Sequence, residues 1–512
     1  MRARQGRAWQ RSRQRQGTAP AQAPGRGVKH TRLLLALFLT WSLLVSCAPG
    51  GDPAPAAASA TAAPTVTPTP LPPPIGEFPT YTLQLALDGG ARHLTGQQLV
   101  TFPNHTGDTL FEIVFRLYPN LPQYGGRMSV GEVRVDGQAA AAELRAADTA
   151  LAVALPAPLP PERGVEIALD FQIDIPVVEA GYALFGLSQG VWSLPDAYAL
   201  LAAYDRAGWH QDVAPTHGDA VFAETALYDV SLALPPDLVL IASGTVVEEG
   251  TAAGSERLYR VTGGPLREFV WLASPGYQVL QSTAGATLVR SYYLPGDEAA
   301  AEAALDAAVS SLLIYEETFG PYPFEAMDVV EAPLMHYGME YPGLNLIGLD
   351  LYRGQSAQLE DRVVHEVAHQ WWYAQVGNDQ VNTPWLDEGL AEYSMAIYYG
   401  RAQGAEQAEA LVGLRWLMPY QVAVENGYDR VVNQPSSAFS WEYEVIVYGK
   451  AALFFHALHE ELGDDFFFTV LRTYVDRYRW KVAHPEDFLA VAESVSGRDL
   501  DELYTRWILT AQ

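Results

Sequence analysis

Within "VVHEVAHQWW", Val363 to Trp372, two histidines and a glutamate fall on little more than one helical turn. A turn takes 3.6 residues, so His365 and His369 share a face and Glu366 lies about 100° round from the first. Two imidazoles at i and i+4 can grip one metal ion, and the carboxylate beside them can act on a metal-bound water. The motif fixes only three positions, so alone it also suits a coincidence on a core helix. A catalytic zinc commonly takes three protein ligands and keeps a fourth position for water. "TPWLDEGLAEYS" offers the missing donor: Pro384 can open a helix, Glu388 lies 19 residues after His369, and Glu392 follows at i+4 on the same face. That spacing lets Glu388 bind the metal while Glu392 holds a ligating histidine from behind.

Joined in this order, the residues resemble a known family. "HEVAH" of "HEVAHQWW", then eighteen residues, then the glutamate of "WLDEGLAEY" is similar to the zinc signature of the M1 aminopeptidases, gluzincins with a thermolysin-like catalytic domain. "YEETFGPYPFEAMDVVEAP" resembles the segment leading into their active site. "YGMEYPG", Tyr337 to Gly343, falls where the family carries a Gly-Ala-Met-Glu-Asn exopeptidase motif, and "VYGKAALFFHALHEELG" resembles the helix that presents a catalytic tyrosine. The similarity runs over about 80–512 and is strongest over 315–463.

The resemblance implies one Zn2+ per chain, held by His365, His369 and Glu388. Glu366 would be general base toward the metal-bound water and then proton donor to the leaving amine. Tyr448, with Tyr443 as the alternative, would donate a hydrogen bond to the oxyanion, and Glu340 would bind the substrate's free α-amine. Gly338 and Met339 would offer backbone to an extended peptide lying along a sheet edge. Three positions depart from the family pattern: Tyr341 stands where Asn is usual, Gly338 where Ala is, and Tyr373 where Gly is. They bear on the preferred first side chain rather than on the metal. A β-domain residue is also expected at the α-amine, and Tyr204 and Gln211 lie in the right region. The chain ends at Gln512 soon after the catalytic helices. The large C-terminal helical domain of many relatives is therefore expected to be missing, with a cleft open to longer peptides.

Two bodies must position these residues. Over 77–283 the pattern is that of an antiparallel β-sandwich or saddle. "TLFEIVFRLY" alternates with Phe111, Ile113, Phe115 and Leu117 on one face, and "TALYDVSLAL" with Tyr228, Val230, Leu232 and Leu234. Over 284–512 the period becomes helical, as with Leu305, Val309, Leu312 and Glu316, and the body is α+β with a thermolysin-like plan. Helices are expected at 357–376, 386–400, 405–424, 447–462, 465–479 and 485–495, with strands around a Gly-rich turn near Gly338–Gly343.

The first 46 residues carry nine Lys or Arg and no acid, and Leu33 to Val45 forms an apolar run that stops at Cys47. The run is short for a membrane span and suits a signal peptide. Leu44-Val45-Ser46-Cys47 resembles a bacterial lipobox, so 1–47 reads as a signal and Cys47 as the lipidated residue of an exported, membrane-anchored protein. Residues 48–76, rich in Pro, Ala and Thr, read as a tether reaching about 80 Å. Cys47 is the only cysteine, which excludes an intramolecular disulfide, thiol catalysis and cysteine ligands. Without the leader, Lys+Arg falls from 32 to 23 against 60 Asp+Glu, a net charge of −37 that argues against nucleic acid. Two rivals to an aminopeptidase remain at this level. One is a gluzincin endopeptidase, and the other is a surface binding protein with a structural zinc. A structural site would normally be closed by a fourth ligand.

Overall fold

Alternation of apolar and polar residues at period two builds the first body. In Thr80–Asp88, Tyr81, Leu83, Leu85 and Leu87 point inward while their neighbours face solvent. This strand lies mid-sheet in an eight-stranded array, antiparallel to His93–Pro103 and parallel to Ala226–Leu234. Two four-stranded sheets and a two-stranded hairpin, Tyr204–Asp205 with Gly208–Trp209, complete the β body among the described residues. The computed structural model describes residues 76–512 apart from 180, 252–255 and 355; the expected signal, Cys47 and nearly all of the tether lie outside the described residues. Tyr228, Val230, Leu232 and Leu234 are buried on one face as expected, and so are Ile113, Phe115 and Leu117. Phe111 is not: it is 67% exposed, because a register shift between Leu110 and Glu112 turns it off the inner face.

The second body is a five-stranded sheet flanked by helices. Its order is Gln278–Ala284, Thr287–Tyr293, Ala326–Ala332, Leu344–Gly348 and Gly338–Tyr341. The strand Gln278–Ala284 thus belongs to this sheet, so the sheet begins before the expected boundary between 283 and 284. Gly338–Tyr341 is the outer strand, paired antiparallel with Leu344–Gly348 on one side only.

The helix Ser356–Ala368 carries His365 and Glu366 and stops before His369, shorter than the expected 357–376. Bonds of the i→i+3 type tighten its end, Gln370 N to Val367 O at 3.1 Å and Trp371 N to Ala368 O at 3.0 Å. Two tryptophans then lock the turn into the core. Trp371 Nε1 donates to Gly320 O at 3.0 Å, and Trp372 Nε1 to Ser394 Oγ at 2.9 Å. These bonds tie the turn to the end of helix Glu298–Phe319 and to helix Trp385–Ala402. The expected helix 405–424 contains a π-helical stretch, Val412–Leu417, and a second one, Glu444–Lys450, runs across the expected start of 447–462, so that helix begins earlier than expected. Among the described residues no helix is long and apolar enough to cross a membrane.

Candidate active site

His365, His369 and Glu388 converge in the buried interior of the second body. The two Nε2 atoms lie 3.2 Å apart, and Glu388 Oε2 lies 3.2 Å from His365 Nε2 and 3.4 Å from His369 Nε2. Tetrahedral donors held about 2.0–2.1 Å from one ion would be about 3.3–3.4 Å apart, so the donor set fits a zinc-sized cation. The hydrogen bonding points the same way. His369 Nδ1 faces the carbonyl of Trp372 at 3.0 Å, which requires a proton on Nδ1 and leaves Nε2 a lone pair in the neutral ring. Two imidazole nitrogens and a carboxylate oxygen therefore meet at a point that calls for positive charge. Burial opposes protonation of His369, yet the carboxylates of Glu340 and Glu388 raise its pKa well above the usual value. Burial likewise opposes charge on Glu388, and the two imidazoles still hold its carboxyl well below the ordinary range.

Glu392 lies behind His365 as the spacing predicts, with Oε1 3.6 Å from Nδ1, an ion-pair distance rather than a hydrogen bond. Its own carboxylate is pinned by Arg415 at 2.8 and 2.6 Å and by Trp416 Nε1 at 2.8 Å. Both pinning residues sit on the π-helical stretch Val412–Leu417, a distortion that recurs at functional sites. Tyr448 rides on the second such stretch and its hydroxyl donates to Glu388 Oε1. Tyr443, the alternative, packs edge-on against Tyr448 at 5.9 Å between ring centroids, and its hydroxyl meets no side-chain partner.

Glu366 is buried beside the metal ligands and 3.5 Å from Arg362 Nη1. Burial pushes its carboxyl up to about 8. Gly338 lies against it: a Cβ at 338 would fall 2.1 Å from Glu366 Oε1, so the outer strand and the general-base candidate touch. Glu340, two residues along that strand, is buried and is reached by Gln380 Nε2 at 2.8 Å; the same amide donates to Asp387 at 2.8 Å. One oxygen of Glu340, one of Glu366 and a nitrogen of His369 lie within 4.8 Å of one another.

A cavity of about 10 Å³, room for about one water-sized group, adjoins Glu340 and is lined by Asp219, Met339, Tyr341, Tyr373 and Gln380 among others. Asp219 comes from the β body, and its carboxyl is raised well above its usual value by burial and then by the charges of Glu340 and Glu388. It was not singled out from sequence. Tyr204 and Gln211, which were, do not line this cavity. The Tyr204 hydroxyl is engaged with Asp108 at 3.1 Å. The signal that could have found Asp219 is "THGDAVF", an acid in a Gly-containing turn between strands, but nothing local distinguishes it from a surface turn. Two of the three departures from the family pattern, Tyr341 and Tyr373, also wall the cavity. Another concavity, about 740 Å³, lies on the β sheet around Gln84, Thr95 and Gln97 and holds none of these residues.

Residues 303–507 match the model of the peptidase family M1 domain. Aminopeptidase M1-B of Oryza sativa subsp. japonica is 27% identical over 300 residues, 55% of this chain and 34% of that protein. Aminopeptidase 2, mitochondrial, of Saccharomyces cerevisiae is 28% identical over 241 residues, 43% of this chain and 24% of its own. The chain thus spans about a third of the length of the first of these relatives and about a quarter of the second. Among solved structures, an M1 zinc metallopeptidase from Deinococcus radiodurans superposes with a TM-score of 0.63 at 20% identity, covering 85% of this chain and 94% of that one. At that identity the likeness speaks for the fold: a β domain followed by a helical catalytic domain, as expected from sequence.

Proposed function

Through residues 303–507 the chain belongs to peptidase family M1, and from that premise we propose that it is a zinc-dependent aminopeptidase acting on peptides outside the cytoplasm. The observation that carries this reading is the placement of buried Glu340 within reach of both His369 and Glu366. A carboxylate there would meet a substrate's ammonium beside the metal ligands. His365, His369 and Glu388 would hold the ion. When bound, zinc supplies a water acidified to a pKa of about 7 and polarises the peptide carbonyl.

The remaining chemistry belongs to side chains. Glu366 sits where its raised pKa favours taking a proton from the attacking water and passing it to the leaving nitrogen. Tyr448 can turn its hydroxyl from Glu388 to the carbonyl oxygen as charge develops there. Glu340 and Asp219 face the small cavity in which the substrate's ammonium, itself water-sized, would be held, and Gln380 orients Glu340 from behind. The free edge of Gly338–Tyr341 would take the peptide backbone as an added strand. A Deinococcus radiodurans neighbour was solved with a Tyr-Ser-Ala substrate, which supports reading the cleft as a peptide site. The lipobox-like run before Cys47 supports export and anchoring to the outer face of the cell membrane.

The test compares one peptide with a free and with an acetylated N-terminus. Desolvating an ammonium costs several kcal/mol unless a carboxylate meets it. The acetylated form should therefore be cut at least a hundredfold more slowly, about 2.7 kcal/mol of transition-state stabilisation. Stepwise loss of single residues from the free peptide is expected. Internal cleavage of both forms at similar rates would move the reading to an endopeptidase, and absence of bound zinc would move it to a binding protein.

A further inference from the structure

One fully buried arginine of the β body braces the turn that carries a metal ligand. Arg267, 1% exposed, stands between strands Arg257–Leu266 and Val270–Ser274. Its Nε donates to the Tyr373 carbonyl at 2.6 Å. Nη2 reaches the carbonyls of Lys481 at 2.6 Å and Gln375 at 3.4 Å, and Nη1 that of Ala223 at 3.2 Å. All four acceptors are backbone carbonyls, and among the described residues no carboxylate forms an ion pair with this guanidinium. Three of the four belong to the second body. A flat fork of five donors is suited to bracing several carbonyls at once, which an ammonium cannot do. The next residue, Glu268, accepts the Tyr373 hydroxyl. One dipeptide thus holds Tyr373 by both its carbonyl and its phenol.

Tyr373 matters because of what precedes it. The carbonyl of Trp372 fixes His369 Nδ1 at 3.0 Å, and the amide of Ala374 closes back on the His369 carbonyl at 2.9 Å. Tyr373 therefore joins the two contacts: the guanidinium holds its own carbonyl, and the imidazole meets the carbonyl one residue before it. Gly377 leaves room for this arrangement: a Cβ there would lie 2.2 Å from Arg267 Cζ.

We propose that Arg267 is a positioning residue for His369: by bracing the Tyr373 carbonyl it fixes the Trp372 carbonyl that orients the imidazole, so that the β body helps set metal retention. The inference rests on the zinc reading above.

The experiment follows zinc release from the full chain into excess chelator. Arg267→Lys and Gly377→Ala are compared with wild type, the second keeping the guanidinium but displacing it. Gly96→Ala is the control, since its Cβ would strike the Phe171 ring at 2.1 Å and strain the β sheet far from the turn. Outer contacts to metal ligands typically change affinity about 10- to 100-fold, so Arg267→Lys and Gly377→Ala should release zinc that much faster. Gly96→Ala should lower Tm yet release zinc at the wild-type rate. Should Arg267→Lys not fold, Gly377→Ala decides alone. Release within twofold of wild type by the folded variants overturns the inference, as does equal acceleration by Gly96→Ala at a matched loss of Tm. If wild type binds no zinc, the metal reading fails and takes this inference with it; wild type holding zinc while the variants release it at the same rate sinks this inference alone.

Discussion

The candidate metal pole and the proposed amine pole are built from different materials. At the metal pole, His365 and His369 come from one turn, and Glu388 from the next helix of the same domain. Local helical spacing does most of the positioning, and tryptophans lock the turn in place. At the amine pole, Asp219 comes from a β-body loop, Glu340 from an edge strand, and Gln380 from the segment before the Glu388 helix. No local periodicity relates them, so the fold as a whole must bring them together. The metal pole should therefore respond to substitution in an all-or-none way, and the amine pole in a graded, substrate-dependent way.

The sharpest division is expected within the metal-binding segment itself. His365→Ala, His369→Ala or Glu388→Ala should lose zinc, measured as metal per chain after purification. Glu366→Gln should keep the ion and lose turnover by about 10³-fold, near the middle of the range for removing a general acid–base. Loss of zinc from Glu366→Gln would make that glutamate part of the metal site. Tyr448→Phe comes next. It removes a hydroxyl and little packing, so kcat should fall about 10²–10³-fold with KM nearly unchanged. An unchanged kcat would point to Tyr443 instead.

This contrast also explains what the sequence could reveal. His365, Glu366, His369, Glu388 and Glu392 were legible because a helix converts spacing into direction. Glu340 and Tyr448 were legible only by resemblance, since neither an acid on a four-residue strand nor a tyrosine on a helix advertises its role. Asp219 was missed because its partners lie on distant segments. Tyr204 and Gln211 were near in sequence, but neither lines the cavity, and the Tyr204 hydroxyl is engaged with Asp108. The π-helical stretches were not legible either, because a widened turn uses the same residue types as an α-helical one; the contacts of Arg415, Trp416 and Tyr448 show what it achieves.

The amine pole offers the graded tests. Glu340→Gln keeps shape and removes charge. It should lower kcat/KM for free peptides about a hundredfold and shrink the free-over-acetylated preference, read from the same pair of peptides. Asp219→Asn should do likewise by a smaller factor, and an equal loss for acetylated peptide would show that these carboxylates do not read the ammonium. Back at the metal pole, Glu392→Gln should weaken zinc affinity about 10- to 100-fold in chelator competition, because the carboxylate behind His365 no longer carries charge.

The smallest expected effect joins the two poles. Gly338 is on the edge strand that leads to Glu340, and its missing Cβ is the space that Glu366 occupies. Gly338→Ala would put a methyl group 2.1 Å from the present place of Glu366 Oε1, so the carboxylate must turn away. It is the far end of a flexible side chain, and an off-rotamer turn costs only about 0.5–1.5 kcal/mol. The expected result is a fall in kcat of at most about tenfold, with zinc content unchanged and the free-over-acetylated preference preserved. A loss of zinc in Gly338→Ala would mean that the edge strand supports the metal ligands as well as the base. A loss as deep as that of Glu366→Gln would mean that the base has only one working position, and that the edge strand dictates it.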